Sequence, residues 1–241
     1  MIRLWAVILF LAGPAFGATC QDVVYKDTPY TICHAQRGQD DLRLFYQNAQ
    51  GQPYGNFLNL LRDLEHNNQT LVFGMNAGMY HPDLSPVGYY REIGKTYQSV
   101  VTSAGPGNFG MLPNGVFCIR PDAWDIIETL QFKSMSADCS FATQSGPMLV
   151  IDGEFHPRLI PNSTSRYIRN GVGVSGDHAY FVISNKPVNF YDFASLFRDY
   201  LDSNKALYFD GNVSRLYVLN PFRHDLGRPF GPMVGVVVAK P

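Results

Sequence analysis

The stretch from Gln144 to Ser175, QSGPMLVIDGEFHPRLIPNSTSRYIRNGVGVS, decides how the fold is read. It opens on a polar elbow (Gln144, Ser145, Gly146, Pro147), runs through an apolar strand from Met148 to Ile151, and turns at Asp152-Gly153. A polar loop then carries Ser163, Thr164 and Ser165 into Arg166 and Arg169, and the small-residue run Gly171 to Ser175 reads as a second buried strand. Two arginines beside hydroxyls and glycines suggest an anion site, because a guanidinium fork matches phosphate or carboxylate oxygens in pairs. The plain alternative is a solvated loop with its own surface ion pairs, each worth little.

Outward from this stretch, strands and turns keep alternating. Toward the N-terminus, Tyr30 to His34 and Leu42 to Tyr46 alternate as strands around a turn at Gly38 to Asp41. Phe57, Leu60, Leu61 and Leu64 share one helical face, which predicts a helix over Asn56 to His66 with Asn56 as N-cap. Leu71 to Gly74 is a short buried strand emptying into Asn76-Ala77-Gly78. Val87 to Ile93 and Tyr97 to Thr102 read as a hairpin around Gly94-Lys95, and Gly115 to Ile119 as the next strand. Toward the C-terminus, His178 to Ser184 is strand-like, and Phe193, Leu196, Phe197, Tyr200 and Leu201 predict a second helix capped by Asp192 or Asn189. Ala206 to Phe209 returns as a strand broken at Asp210-Gly211, followed by Leu216 to Leu219 and Met233 to Ala239. About ten strands against two clear helices give a β-rich α+β domain with a mixed or antiparallel sheet.

Arg3, the apolar run Leu4 to Ala12 and the small residues around Ala15 to Gly17 form a targeting signal over 1–17, leaving one domain over 18–241. The apolar run is too short for a confident span, and no later window is long and apolar enough for one. The expectation is an exported protein, periplasmic or secreted. Four cysteines, Cys20, Cys33, Cys118 and Cys139, are then expected to pair, and short spacing favours Cys20 with Cys33 and Cys118 with Cys139. A net charge of −1 with only 16% charged residues supplies no basic field, so nucleic acid is not an expected partner.

Other chemistries lack their signatures: there is no nucleophile elbow, no H-E-x-x-H, no phosphate-binding glycine loop, and the six histidines are scattered. Only His81 stands near a candidate motif. Asn76, Asn114, Gln144, Arg169-Asn170 and Asp210 instead form five polar-glycine elbows, each at a strand edge. Any one is an ordinary turn; five converging on one rim would be a pocket. No resident cofactor is assigned. Asp210, Asp152 and backbone carbonyls leave room for an oxygen site for a divalent cation, although no loop has calcium-motif spacing.

In order and spacing, Asn76-Ala-Gly-Met-Tyr, Pro113-Asn-Gly-Val-Phe, Gln144-Ser-Gly-Pro-Met-Leu-Val, Arg169-Asn-Gly-Val-Gly-Val and Leu207-Tyr-Phe-Asp210-Gly resemble the phosphodiester glycosidase family. The resemblance spans roughly residues 40 to 239. It implies hydrolysis of a sugar-1-phosphodiester at its glycosyl bond, with free sugar and a phosphomonoester as products. Asp210, Arg169 and Asn76 are then the expected catalytic residues. Asn114, Gln144, Ser145, Gly146, Arg166 and Gly211 would contact the substrate, and Glu92 or Asp152 would supply a second carboxylate. One departure is that Asp210-Gly211 continues as Asn212-Val213-Ser214-Arg215 rather than as a glycine- and serine-rich run. The alternative expectation is a protein that binds phosphorylated glycan or cell-wall fragments without turning them over.

Overall fold

The computed structural model describes residues 17–135 and 137–240, so the targeting signal expected at 1–17 lies outside the described residues except at its last position. The first strands are β1 (Thr19–Tyr25), β2 (Thr28–Gln36), β3 (Asp41–Phe45), β4 (Gln69–Asn76), β5 (Tyr90–Glu92) and β6 (Lys95–Gln98). Then come β7 (Gly115–Ile119), β8 (Trp124–Glu128), β9 (Phe141–Ser145), β10 (Met148–Ile151), β11 (Glu154–Phe155) and β12 (Asn170–Ser175). The last are β13 (His178–Ser184), β14 (Lys205–Asp210), β15 (Leu216–Val218), β16 (Arg223–His224) and β17 (Met233–Ala239). Helices are α1 (Phe57–His66), α2 (Thr129–Met135) and α3 (Phe190–Ser195), the last running on as a π-type turn over Leu196–Tyr200. No helix among the described residues is long and apolar enough to cross a membrane.

Three sheets form, a seven-stranded one in the order β1-β2-β13-β12-β14-β10-β11 and two five-stranded ones, β16-β15-β4-β17-β3 and β6-β5-β9-β7-β8. Every pairing among these strands is antiparallel, as a β-rich α+β domain requires. They meet around Phe181 of β13, whose ring lies 5.3 Å from that of Phe73 on β4 and 5.9 Å from that of Phe117 on β7. Each sheet thus contributes one phenylalanine to a shared aromatic contact, which holds the three sheets as one body. A second cluster packs Phe193 and Phe197 against Leu149 and Ala206, and a third packs the apolar face of α1 against Tyr217 and Phe230.

Both expected helices form where their caps allow. Asn56 Oδ1 accepts from the Asn59 N–H at 2.9 Å, and Asn189 Oδ1 accepts from that of Asp192 at 2.7 Å, so the second cap is Asn189. The two disulfides are Cys20–Cys33, whose halves face each other across β1 and β2, and Cys118–Cys139.

Other expectations need correction. The hairpin closes earlier, with Ile93 and Gly94 at φ 42° and 79°, which shortens its strands to β5 and β6. Gln144 and Ser145 end β9 rather than forming an elbow, and the turn proper is Gly146-Pro147. β1, β8 and α2 are additional elements. β1 is an edge strand with exposed positions that carry no alternation, and α2 is seven residues long, too short for a helical period to show.

Candidate active site

Asn76 ends β4, Asn114 precedes β7, Gln144 and Ser145 end β9, Asn170 starts β12 and Asp210 ends β14. Direct contacts link them in two groups. In the first, Asn170 Nδ2 donates to Asn76 Oδ1 at 2.8 Å and to its carbonyl at 3.0 Å, while Asn170 Oδ1 accepts from the Asp210 N–H at 3.0 Å. Asn76 Nδ2 donates to the Val213 carbonyl at 2.6 Å and its Oδ1 also accepts from the Arg215 N–H at 2.9 Å. Asn76 is therefore a buried clamp on the loop after Asp210, with its amide fully engaged.

In the second group, Gln144 Oε1 accepts from the Tyr89 and Val101 N–H groups at 2.9 and 3.0 Å, and its Nε2 donates to the Val101 carbonyl at 2.7 Å. Asn114 Nδ2 donates to the Phe109 carbonyl at 2.9 Å and its Oδ1 accepts from Thr129 Oγ1 at 2.6 Å. Ser145 Oγ donates to the Phe209 carbonyl at 2.8 Å, joining this group to the strand of Asp210. A Cβ on Gly146 would lie 2.5 Å from Asn114 Cβ, so this close approach admits only glycine. Asn114, Gln144 and Ser145 hold the loops of the rim in place with their polar atoms turned inward.

Asp210 does open outward. It lines a cleft of ≈ 680 Å³ with Tyr80, His81, Asn212, Val213 and Arg228, and is the one carboxylate among the described lining residues. Its side chain is almost wholly covered, with Oδ1 accepting from the Gly211 and Asn212 N–H groups at 2.6 and 2.9 Å. Burial raises its pKa above the ordinary carboxylate value, against the pull of those backbone donors. Arg228 is exposed at the rim and has no hydrogen-bonded or ionic partner among the described residues.

Arg169 is not among the lining residues; it precedes Asn170, the partner of Asp210, and is buried behind the clamp. It is 1% exposed and has no carboxylate partner among the described residues: Nε donates to the Val188 carbonyl at 2.9 Å and Nη2 to that of Ser165 at 3.0 Å. The guanidinium lies 3.6 Å from the centre of the Phe190 ring and 5.4 Å from that of Tyr208. Its Nη1 and the Tyr208 hydroxyl are both buried, and among the described residues neither has a partner in good hydrogen-bond geometry, which leaves them to face each other. Tyr208 precedes Asp210 by two in β14, and the β12–β14 pairing is bulged between them, with Gly171 opposite Tyr208 and Asn170 opposite Asp210. Its hydroxyl lies 2.1 Å from where a Cβ on Gly211 would stand, which keeps that position glycine. Burying a cation without an acid is costly, and a buried guanidinium with a spare donor can receive an anion.

Three expected residues are elsewhere. Asp152 is in the turn at the far end of β10, where the Gly153 N–H meets the Asn204 carbonyl, just before β14 begins. Five strand steps to Asp210 put it roughly 17 Å away, so the two cannot share a water or a cation. Glu92 faces Phe141, four residues from Ser145 along β9, or roughly 13 Å from the rim, and accepts from the Tyr90 hydroxyl at 2.5 Å. Arg166 is a surface residue paired with Asp192 at 3.2 Å. Tyr80 and Tyr208 sit inside the Asn76 and Asp210 motifs without a signal that marks their side chains for the site, and Arg228 belongs to no motif.

Among the described residues, no group of three or more His, Cys, Asp or Glu could hold a metal ion. The chain is 35% identical over 242 residues to an uncharacterised Escherichia coli (strain K12) protein, YigE, covering 98% of this chain and 94% of that one. Its fold is similar to the zebrafish N-acetylglucosamine-1-phosphodiester alpha-N-acetylglucosaminidase catalytic domain, solved auto-inhibited by its pro-peptide. That likeness has a TM-score of 0.59 at 13% identity and covers 91% of this chain and 81% of the other. The family model for phosphodiester glycosidase matches residues 69–237, which run from the first residue of the strand of Asn76 into β17 and include the whole clamp around Asp210; the chain belongs to the phosphodiester glycosidase family.

Proposed function

We propose that this protein hydrolyses the glycosyl bond of a sugar-1-phosphodiester, releasing a free sugar and a phosphomonoester, after export to an oxidising compartment. The observation that carries the reading is Asp210, a carboxyl of raised pKa that lines the cleft and is held by Asn170, the neighbour in sequence of the buried Arg169. Water attacks the anomeric carbon and gives its proton to the Asp210 carboxylate. The bond from that carbon to the phosphate oxygen breaks, and its electron pair leaves with the phosphate. A phosphomonoester leaves readily, so cationic stabilisation replaces the general acid that an alcohol leaving group needs. Arg169 supplies that charge from behind the clamp, Tyr208 a hydroxyl donor, and Arg228 draws the anion in from the rim. Asn76 acts through Asn170 and the loop after Asp210, as a positioning residue.

A single displacement uses one carboxylate, which suits a cleft with Asp210 alone among its described acids. The two disulfides suit an oxidising compartment. Purified wild-type and Arg169→Ala proteins, assayed on a panel of chromogenic sugar-1-phosphodiesters, test the assignment. The expectation is free sugar from the wild type and a loss of at least 100-fold in kcat in the variant. Saturable binding of the diesters with no released sugar would favour the non-catalytic binder.

A further inference from the structure

The cleft beyond Asp210 is built for something other than a second sugar. Most of its lining is apolar, namely Met79, Leu84, Val87, Pro106, Phe109 and Pro229. Its polar lining besides Asp210 is limited to Tyr80, His81, Asn212 and Arg228, and Asn76, Asn114 and Gln144 stand outside it, tied into internal hydrogen bonds. A hydroxyl set against those apolar side chains would lose its water for contacts that return no hydrogen bond, whereas an apolar chain gains by leaving water.

Leu84 adds an independent observation. It stands at φ 70°, in the left-handed region where leucine is uncommon and asparagine is several-fold enriched. Leu84 is partly exposed and lines the cleft, so the left-handed backbone presents an apolar side chain there where an asparagine would fit more readily. Arg228, unpaired among the described residues, gives the same cleft a cation at its rim. One negative charge attached to an apolar body fits both features.

Resting on the glycosyl phosphodiester reading, we infer that the alcohol on the far side of the phosphate is apolar: the substrate is a glycosyl phosphodiester of an alkyl or aryl alcohol. The sugar and its phosphate occupy the Asp210 end, and the chain of the alcohol runs along the wall of Leu84, Val87 and Phe109. Each methylene removed from water adds about fourfold to binding, so a chain of several carbons is strongly preferred over methyl.

The test uses two diesters of one sugar that differ only in the alcohol, methyl or octyl, both below the micellar concentration, on the full chain. Binding of methyl phosphate and octyl phosphate is measured alongside. The expected result is kcat/KM at least tenfold higher for the octyl diester, with the ratio collapsing in Leu84→Asn, a variant whose new residue suits the backbone at 84. Turnover of both diesters within twofold, or preference for methyl, overturns the inference while leaving the glycosidase reading intact. If neither diester is hydrolysed, the glycosidase reading falls and the binding arm decides. Octyl phosphate held at least tenfold tighter than methyl phosphate, with the difference lost in Leu84→Asn, supports an apolar occupant, and equal binding overturns it.

Discussion

Asn170 and Asp210 face each other across β12 and β14, and the Asn170 side chain fixes the backbone of the aspartate, its Oδ1 accepting from the Asp210 N–H at 3.0 Å. The same amide donates to Asn76, so one residue sets the height of Asp210 relative to the end of β4. Replacing it by alanine leaves buried polar groups on both partners unsatisfied. Asn170→Ala is expected to lower unfolding stability by about 3 kcal/mol in chemical denaturation, and to reduce kcat more than it raises KM.

Asp210 is held in surroundings that favour its protonated form, because burial raises its pKa. The sign follows: the carboxylate costs the fold stability above its pKa, and that cost disappears in acid. Asp210→Asn is therefore expected to abolish turnover while raising Tm at neutral pH, with the gain vanishing as pH falls below the carboxyl pKa. Wild-type kcat/KM is expected to drop on the acid side with a midpoint above the ordinary carboxylate value. A midpoint at or below that value would count against Asp210 as the base.

Glu92 carries a second raised carboxyl, pushed to about 7 by burial, with no part in the cleft. Its native state binds the proton more tightly than the unfolded chain. Stability should thus fall as pH rises from about 4.5 and level off above about 7, by up to about 3 kcal/mol. Glu92→Gln is expected to flatten that part of the pH–stability curve and leave the pH profile of turnover unchanged.

Gln144 uses both ends of its amide to tie Val101 and Tyr89, and its Nε2 also reaches Thr129 Oγ1 at 3.1 Å. Gln144→Ala is expected to destabilise the protein by about 2–4 kcal/mol, seen as a lower denaturation midpoint, because several buried backbone groups lose their partner. Faster amide exchange at Val101 would locate the damage in the loop that borders the cleft.

Much of this arrangement could be read from the chain. Helix α1 followed from the spacing of Phe57, Leu60 and Leu64 behind Asn56, and the strands of the central sheet from their apolar runs. Of the five expected polar-glycine elbows, Gln144 proved to lie within a strand and only Asp210 lines the cleft, while the others sit at strand ends behind it. What the sequence could not convey was the direction of the side chains. An asparagine that binds a ligand and one that ties down a loop look identical, and Asn76, Asn114 and Gln144 proved to be engaged inward. Tyr208 was hidden for the opposite reason, since its hydroxyl matters only through the neighbouring guanidinium of Arg169 and the bare backbone of Gly211. Asp152 and Glu92 were placed with Asp210 by residue type alone, and the antiparallel register sends both to distant ends of their strands.

The central claim is that the bond broken lies on the sugar side of the phosphate, with Asp210 activating the water. Hydrolysis of a sugar-1-phosphodiester in ¹⁸O-labelled water, followed by ³¹P NMR and mass spectrometry of the sugar, tests it directly. The account predicts the label in the sugar, no isotope shift in the phosphomonoester, and no turnover by folded Asp210→Asn. Label in the phosphomonoester, or full activity in that variant, would contradict it.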